Sequence, residues 1–233
     1  MRLAIISDIH SNLEALKKAL ELIDKHSIDE IVCLGDVIGY GANPNECMEL
    51  VQRRCNIIVK GNHEEAVINI NTADDFTDNA RSAIVWTRKN LSSEHLEFIK
   101  SLPLVYSIEN ILFVHASPCK PAEWRYIFDD EEAAQSFRCF SEPLCFVGHT
   151  HMPMLFSPDG WADRVTKSER FIINVGSIGQ PRDRNIQLSF GVLDTDTWTY
   201  ENIRSPYDVE TAASKILKTD LPPKLGHRLL IGV

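Results

Sequence analysis

Five short apolar runs in this chain each lead straight into residues that bind metal ions. Asp8 and His10 follow Leu3-Ala4-Ile5-Ile6, Gly35-Asp36 follows Ile31-Val32-Cys33-Leu34, and Gly61-Asn62-His63-Glu64 follows Ile57-Ile58-Val59. His115 ends the run Ile111-Leu112-Phe113-Val114, and Gly148-His149-Thr150-His151 follows Cys145-Phe146-Val147. Runs of this length read as buried strands. Open α/β sheets bind their ligands just beyond the carboxyl ends of strands. The pattern predicts one site, assembled at a sheet edge from segments far apart in sequence. Five of the eight histidines fall in these positions, whereas His26, His95 and His227 lie in helical or tail segments and read as surface residues.

The spacing within each cluster has a physical cause. Side chains alternate along an extended backbone, so residues two apart project to the same side. Asp8 with His10, and His149 with His151, can each reach one ion together. The donors are oxygen and nitrogen with no thiolate, which suits Mn, Fe, Co, Ni or Zn better than Mg or Ca. Asp8, His10, Asp36, Asn62, His115, His149 and His151 are more ligands than one ion needs. A carboxylate offers two oxygens, so Asp36 is the natural bridge between two ions about 3.5–4 Å apart.

A coarse pass along the chain reads strands at 2–7, 30–35 and 56–60, separated by helices over about 11–26 and 44–54. That βαβαβ start predicts a parallel sheet. Residues 76–101 read as helical, with Phe76, Ala80, Ile84, Trp86, Leu91, Leu96 and Phe98 packing across the edge of the site. Strands at 104–108 and 110–114 flank a tight turn at Glu109-Asn110, and Asp129 or Asp130 starts a short acidic helix before a strand at 144–148. The remainder is strand-rich, with a hairpin at 188–194 and 198–204, a helix at 207–218 and a Pro222-Pro223 tail.

The formal net charge of −9 argues against non-specific binding to nucleic acid or anionic membrane. Any attraction for phosphate must then be local, supplied by the ions. No run approaches the roughly 20 apolar residues of a membrane span, and the N-terminal run is too short for a signal peptide. The six cysteines have no CxxC pairing. Cys33 and Cys145 read as core residues, Cys47, Cys55, Cys119 and Cys139 as scattered ones, and the expectation is a reduced, cytoplasmic protein without a disulfide framework.

The segments SDIHSNLEAL, LGDVIGYGANPNEC, VKGNHE, FVHASP, VGHTHMP and NVGSIGQPRD, in this order, resemble the calcineurin-like metallophosphoesterase superfamily. The fuller likeness is to its small prokaryotic branch, labelled predicted phosphodiesterase or diadenosine-tetraphosphatase-like, and it runs from Met1 to about Asp196. No internal repeat, low-complexity tract or linker divides residues 1–233, which read as one domain. The resemblance implies a four-layer α-β-β-α sandwich of two facing mixed sheets, with a helical insert at about 66–101 beside the site. It implies one ion on Asp8, His10, Asp36 and His151 and a second on Asp36, Asn62, His115 and His149. Water activated by the ions attacks phosphorus, and His63 occupies the position of the acid that protonates the leaving oxygen. The other reading of His63 is a residue that only orients Asp36 or the phosphate.

Substrate contacts are less sharply marked. Asn12 either reaches a phosphate oxygen or caps the following helix. Arg182 either forks onto a phosphate or pairs with Asp183. Tyr40, Trp124 and Tyr126 either stack on a base or aryl group or serve packing. The expected substrate is a small phosphoester, either a phosphodiester or a dinucleoside polyphosphate. Phosphomonoesterase and protein phosphatase are the alternatives, with a non-catalytic scaffold as the alternative outside enzymes. A nuclease is disfavoured because no basic stripe exists to replace counterions, and a homo-oligomer is left open.

Overall fold

Alternate residues of the central strands bury apolar side chains on opposite faces, so each sheet must be covered on both sides. In the computed structural model, which describes all 233 residues, that requirement produces two sheets packed face to face with helices outside. The first sheet has the order β11-β10-β1-β2-β3. Its strands are β1 (Arg2–Ile6), β2 (Glu30–Cys33), β3 (Ile57–Ile58), β10 (Leu188–Asp194) and β11 (Thr199–Ser205). β1, β2 and β3 run parallel, and the β10–β11 hairpin joins antiparallel along β1. The second sheet has the order β4-β5-β6-β9-β7-β8. It comprises β4 (Val105–Ile108), β5 (Ile111–Val114), β6 (Leu144–Val147), β7 (Pro153–Ser157), β8 (Gly160–Trp161) and β9 (Phe171–Val175). β5, β6 and β9 are parallel at its centre, with antiparallel edges.

The period of two sorts the residues into layers. Leu3, Ile5, Val32, Leu34, Ile111, Phe113, Leu144, Phe146, Phe171 and Ile173 meet between the sheets. Their neighbours Ala4, Ile6, Ile31 and Cys33 turn outward against α1 (Leu13–Ile23) and α2 (Pro44–Arg54). Leu112, Val114, Cys145 and Val147 turn outward on the other side, against Ala133 of α6 (Asp130–Ser136) and Phe137. The architecture is a four-layer sandwich, and both sheets deliver their parallel carboxyl ends to one edge.

Several expectations shift in detail. The region read as helical over 76–101 is two helices, α4 (Asp78–Asn90) and α5 (Ser93–Ser101), because the Ser92 hydroxyl accepts the His95 N–H and starts a new helix. They follow α3 (Asn62–Ile68) and form the insert between β3 and β4. After α7 (Val209–Leu217) the tail is helical: α8 (Pro223–Leu229) begins with proline, which is tolerated at a first helical position. The expected absence of disulfides is also wrong. Cys119 and Cys139 are bonded, with Cα atoms 5.2 Å apart, which ties the loop after β5 to the end of α6. Spacing alone carried no sign of this pairing, because the two residues meet only through the packing of α6. No helix is long and apolar enough to cross a membrane.

The stacked pair Phe113–Phe146, with ring centroids 5.7 Å apart, fills the middle of the inter-sheet layer. Phe146→Ala should cost about 3–5 kcal/mol through lost transfer energy and the cavity left behind. Urea unfolding reads this directly. A loss below about 1 kcal/mol would mean that the inter-sheet layer is not the packed core described.

Candidate metal centre

The five post-strand clusters converge at the carboxyl edges of β1, β2, β3, β5 and β6. Asp8, His10, Asp36, Asn62, His63, His115, His149 and His151 are all buried. Several sit in strained backbone: Asp8, His10, Asp36, His149 and His151 have φ of 54, 48, 51, 67 and 63°. The left-handed region is disfavoured for residues with a Cβ, at about 1–3 kcal/mol each, and such strain collects where side-chain aim matters. The close approach of the β2 and β3 ends is set by Gly35 (φ 98°), where a Cβ would lie 2.5 Å from the Gly61 nitrogen.

The imidazoles are aimed by the main chain. His10 Nδ1 lies 3.1 Å from the Ile38 carbonyl, His115 Nδ1 2.9 Å from that of Leu34, and His151 Nδ1 2.6 Å from that of Gln180. His149 uses its other nitrogen, Nε2, 2.9 Å from the Trp124 carbonyl. A carbonyl only accepts, so each ring must donate there, and its second nitrogen turns a lone pair into the site. His10 Nε2 and His151 Nε2 consequently face each other at 3.1 Å. Two lone pairs at that distance repel unless positive charge lies beside them.

Carboxylates complete two groupings, Asp8 with His10 and His151 and Asp36 with His115 and His149, and a third, His10 with Asp36 and His63, bridges them. His151 Nε2 is 3.3 Å and His10 Nε2 3.8 Å from Asp8 Oδ1. His10 Nε2 is 3.6 Å and His115 Nε2 3.3 Å from Asp36 Oδ2. Asn62 Oδ1 lies 3.1 Å from His115 Nε2, and His149 groups with Asp36 and His115. Asp36 thus stands between the two groupings. Each carboxylate spends one oxygen on the main chain: Asp8 Oδ2 accepts the His149 N–H at 3.0 Å and Asp36 Oδ1 the His63 N–H at 2.9 Å. Asp8 Oδ1 is buried with no hydrogen-bond donor. An orphaned anionic oxygen, opposed imidazole lone pairs and a hard-to-intermediate donor set together fit transition-metal cations.

The electrostatics agree. Burial pushes the Asp8 carboxyl up to about 6, with Asp36 adding to the rise and His115 opposing it. Burial also raises Asp36, but His115, His63 and His10 outweigh it and hold that carboxyl well below the usual range. His115 goes up to about 9: burial would lower it, yet Asp36, Asp8 and Glu64 win. His10, His149 and His151 are driven down by burial, as neutral nitrogen ligands require. The cluster concentrates negative potential around three neutral rings that offer lone pairs and around His115, whose second nitrogen takes a proton where no cation is bound.

His63 borders an open cleft of about 240 Å³ beside this cluster, together with Tyr40, Phe76, Tyr126, Arg182 and Arg228. Its ring packs at 4.5 Å from Tyr40, 4.6 Å from His10 and 5.3 Å from Phe76. Tyr126 stacks on His149 with centroids 4.0 Å apart. Arg182 does not pair with Asp183, which takes Arg204 instead; it donates to Gln180 Oε1 at 3.0 Å and faces the cleft. Asn12 is the helix cap. Its Oδ1 accepts the Ala15 N–H at 3.1 Å, and its amide nitrogen donates to the Gly179 carbonyl at 2.8 Å and the Tyr207 hydroxyl at 3.1 Å. No donor remains on Asn12 for a phosphate, so its expected substrate contact is withdrawn.

Two supporting residues escaped the sequence reading. Glu64, fully buried, accepts the N–H groups of Asp36, Val37, Ile38 and Gly61 at 2.7, 2.9, 3.2 and 2.9 Å. Burial pushes its carboxyl up to about 7, and four N–H donors with no acceptor for a proton favour the ionised form. Asn174, the one polar residue in β9, donates to the Gly148 carbonyl and to Thr150 Oγ1 and so fixes the His149–His151 loop. A lone asparagine in an apolar strand, and an acid beside Asn62-His63, were the available signals.

Glu64→Gln turns an NH2 group toward N–H donors and should destabilise the fold by about 2–4 kcal/mol. Because the Asp36 loop hangs on it, metal affinity should also fall about 10–100-fold. Urea unfolding and metal titration check both, with Glu65→Gln, at the partly exposed Lys60 pair, expected to stay within about 0.5 kcal/mol of the parent. Metal affinity unchanged in Glu64→Gln would show that the loop does not depend on this carboxylate.

Residues 1–198 match the calcineurin-like phosphoesterase superfamily domain. A protein of Methanocaldococcus jannaschii is 40% identical, covering 99% of this chain and 98% of its own. A metallophosphoesterase from Sphaerobacter thermophilus has a crystal structure that superposes with a TM-score of 0.89 at 38% identity, covering 100% of this chain and 99% of its own. A Pyrococcus horikoshii protein shares the fold at a TM-score of 0.86 and 20% identity, over 100% of this chain and 98% of its own. The chain belongs to the calcineurin-like phosphoesterase superfamily.

Proposed function

We propose that this protein is a metal-dependent phosphoesterase that hydrolyses a small phosphoester at a two-cation centre. The observation that carries the reading is the opposed pair of imidazole lone pairs, His10 and His151, beside the undonated Asp8 Oδ1. Only positive charge relieves that arrangement. Asp8, His10, His151 and Asp36 would hold one cation, and Asp36, Asn62, His115 and His149 the other; the identity is any of Mn, Fe, Co, Ni or Zn. Bound there, the cations supply Lewis-acid charge to phosphoryl oxygens and acidify water at neutral pH.

The chain's own residues do the rest. Carbonyl anchors keep the four ligand rings in one tautomer, so no ring reorganises as charge develops on the phosphate. His63 lines the cleft on the open side of Asp36, held by its own main-chain bond to that carboxylate. Burial holds the free ring down at about 4 against the pull of Asp36, and a phosphate anion in the cleft would favour the protonated ring that gives its proton to the departing oxygen. Tyr40, Phe76 and Tyr126 form apolar walls that suit an aryl or nucleoside group. A cleft of this size and an acidic surface favour a small soluble ester over nucleic acid or lipid.

A panel of phosphoesters on metal-stripped protein, with single ions added back, tests the class. Within it, His63→Ala should lower kcat about 10²–10⁴-fold for alkyl leaving groups and far less for 4-nitrophenyl esters, which leave without a proton. Metal content should stay near the parent. Equal losses for both leaving groups, or loss of the metals, would make His63 an orienting residue. Turnover should also change only modestly with salt, whereas efficient cleavage of long nucleic acid that collapses steeply with salt contradicts the substrate class.

A further inference from the structure

The cleft contains more positive charge than the metal ligands explain. Arg182, in the loop after β9, and Arg228, in α8, both approach the ring of Tyr40, each guanidinium 5.9 Å from its centroid. Both line the same cleft as Asp36 and His63. Neither is paired with a side-chain carboxylate. Asp183 is taken by Arg204, Arg182 donates to Gln180 Oε1 and lies beside the Tyr126 hydroxyl, and Arg228 Nε donates to the main-chain oxygen of Val233, the last residue. Arg182 Nε is buried with no acceptor. Burial and the nearby Arg182 both push the Arg228 guanidinium down from its usual value. Of the two acids on this cleft, Asp36 is engaged by His115 and the His63 N–H, and Asp75 is exposed at the rim; neither forms an ion pair with either arginine. Two part-buried like charges around one aromatic ring repel each other, and an anion between them would relieve that repulsion.

We infer that Arg182 and Arg228 form a second anion position in the substrate cleft, so that the substrate carries a further phosphate group beside the one held by the cations. This rests on the phosphoesterase reading above and names its substrate class: compounds with adjacent phosphates, such as nucleoside diphosphate derivatives. Two arginine forks match phosphate oxygens, and both guanidiniums gather around Tyr40 on the wall of the cleft. Two divalent cations against the carboxylates of Asp8 and Asp36 already leave the centre positive, and the arginines extend that field along the cleft. Arg228 lies in α8, beyond residues 1–198, so the C-terminal helix contributes to this cleft.

The test uses full-length protein with manganese in excess, so that chelation by ligands is constant. Calorimetry compares AMP with α,β-methylene-ADP, which differ by one phosphate group. The parent should bind the two-phosphate ligand about tenfold or more tightly than AMP, from one added charge-assisted fork. Arg228→Gln should erase that preference, and Arg228→Lys, which keeps charge but not the fork, should retain part of it. In kinetics, Arg228→Gln should lower the kcat/KM ratio of a dinucleoside triphosphate over 4-nitrophenyl thymidine 5′-phosphate about tenfold, mainly through KM. No preference in the parent, or equal losses for both ligands in the variant, overturns the proposal; the parent measurement holds even if Arg228→Gln folds poorly. A phosphate preference without turnover of any ester would instead sink the phosphoesterase reading and leave the arginine site standing.

Discussion

Four imidazoles in this protein each give an N–H to a main-chain carbonyl, and the site depends on that commitment. The carbonyls of Ile38, Leu34, Trp124 and Gln180 come from loops of both sheets, so ring orientation is locked to the packing between the sheets. His115, from the second sheet, leans on Leu34 at the end of β2 in the first. His149, after β6, donates its main-chain N–H to Asp8, after β1. A shift of one sheet against the other would therefore break hydrogen bonds and misplace lone pairs together. The inter-sheet core and the ligand geometry are one mechanical system.

Much of this was legible in the residues. Period-two apolar runs gave the strands and their two buried faces, and Asp, Asn and His after five of them gave the convergence at one edge. Asn12 and Arg182 show where that reading ran out. Whether an asparagine caps a helix or meets a ligand depends on Gly179 and Tyr207, which are distant in sequence and brought near only by the fold. The Cys119–Cys139 bond, the helix hidden behind Pro222-Pro223 and the place of Arg228 beside Tyr40 all arise from tertiary packing without periodic sequence signals. Glu64 was visible as a residue but not as a role, because its partners are backbone N–H groups that every sequence possesses.

The charge distribution has a consequence for selectivity. A chain with a formal charge of −9 repels long polyanions over distances set by the Debye length, about 8 Å at physiological salt. Cations held in the cleft, with Arg182 and Arg228 beside them, would attract phosphate inside that range. A small, multiply charged ester can enter the local field without crossing much of the global one, while a nucleic acid strand must lie against both.

The central claim is that the buried carboxylate–imidazole cluster exists to hold two cations with Asp36 between them. Anomalous diffraction from crystals grown with manganese measures this most directly. The account predicts two peaks about 3.5–4 Å apart. One should lie against Asp8, His10 and His151, the other against Asn62, His115 and His149, with Asp36 reaching both. No peak, a single peak at saturating metal, or ions bound away from Asp36 would contradict it.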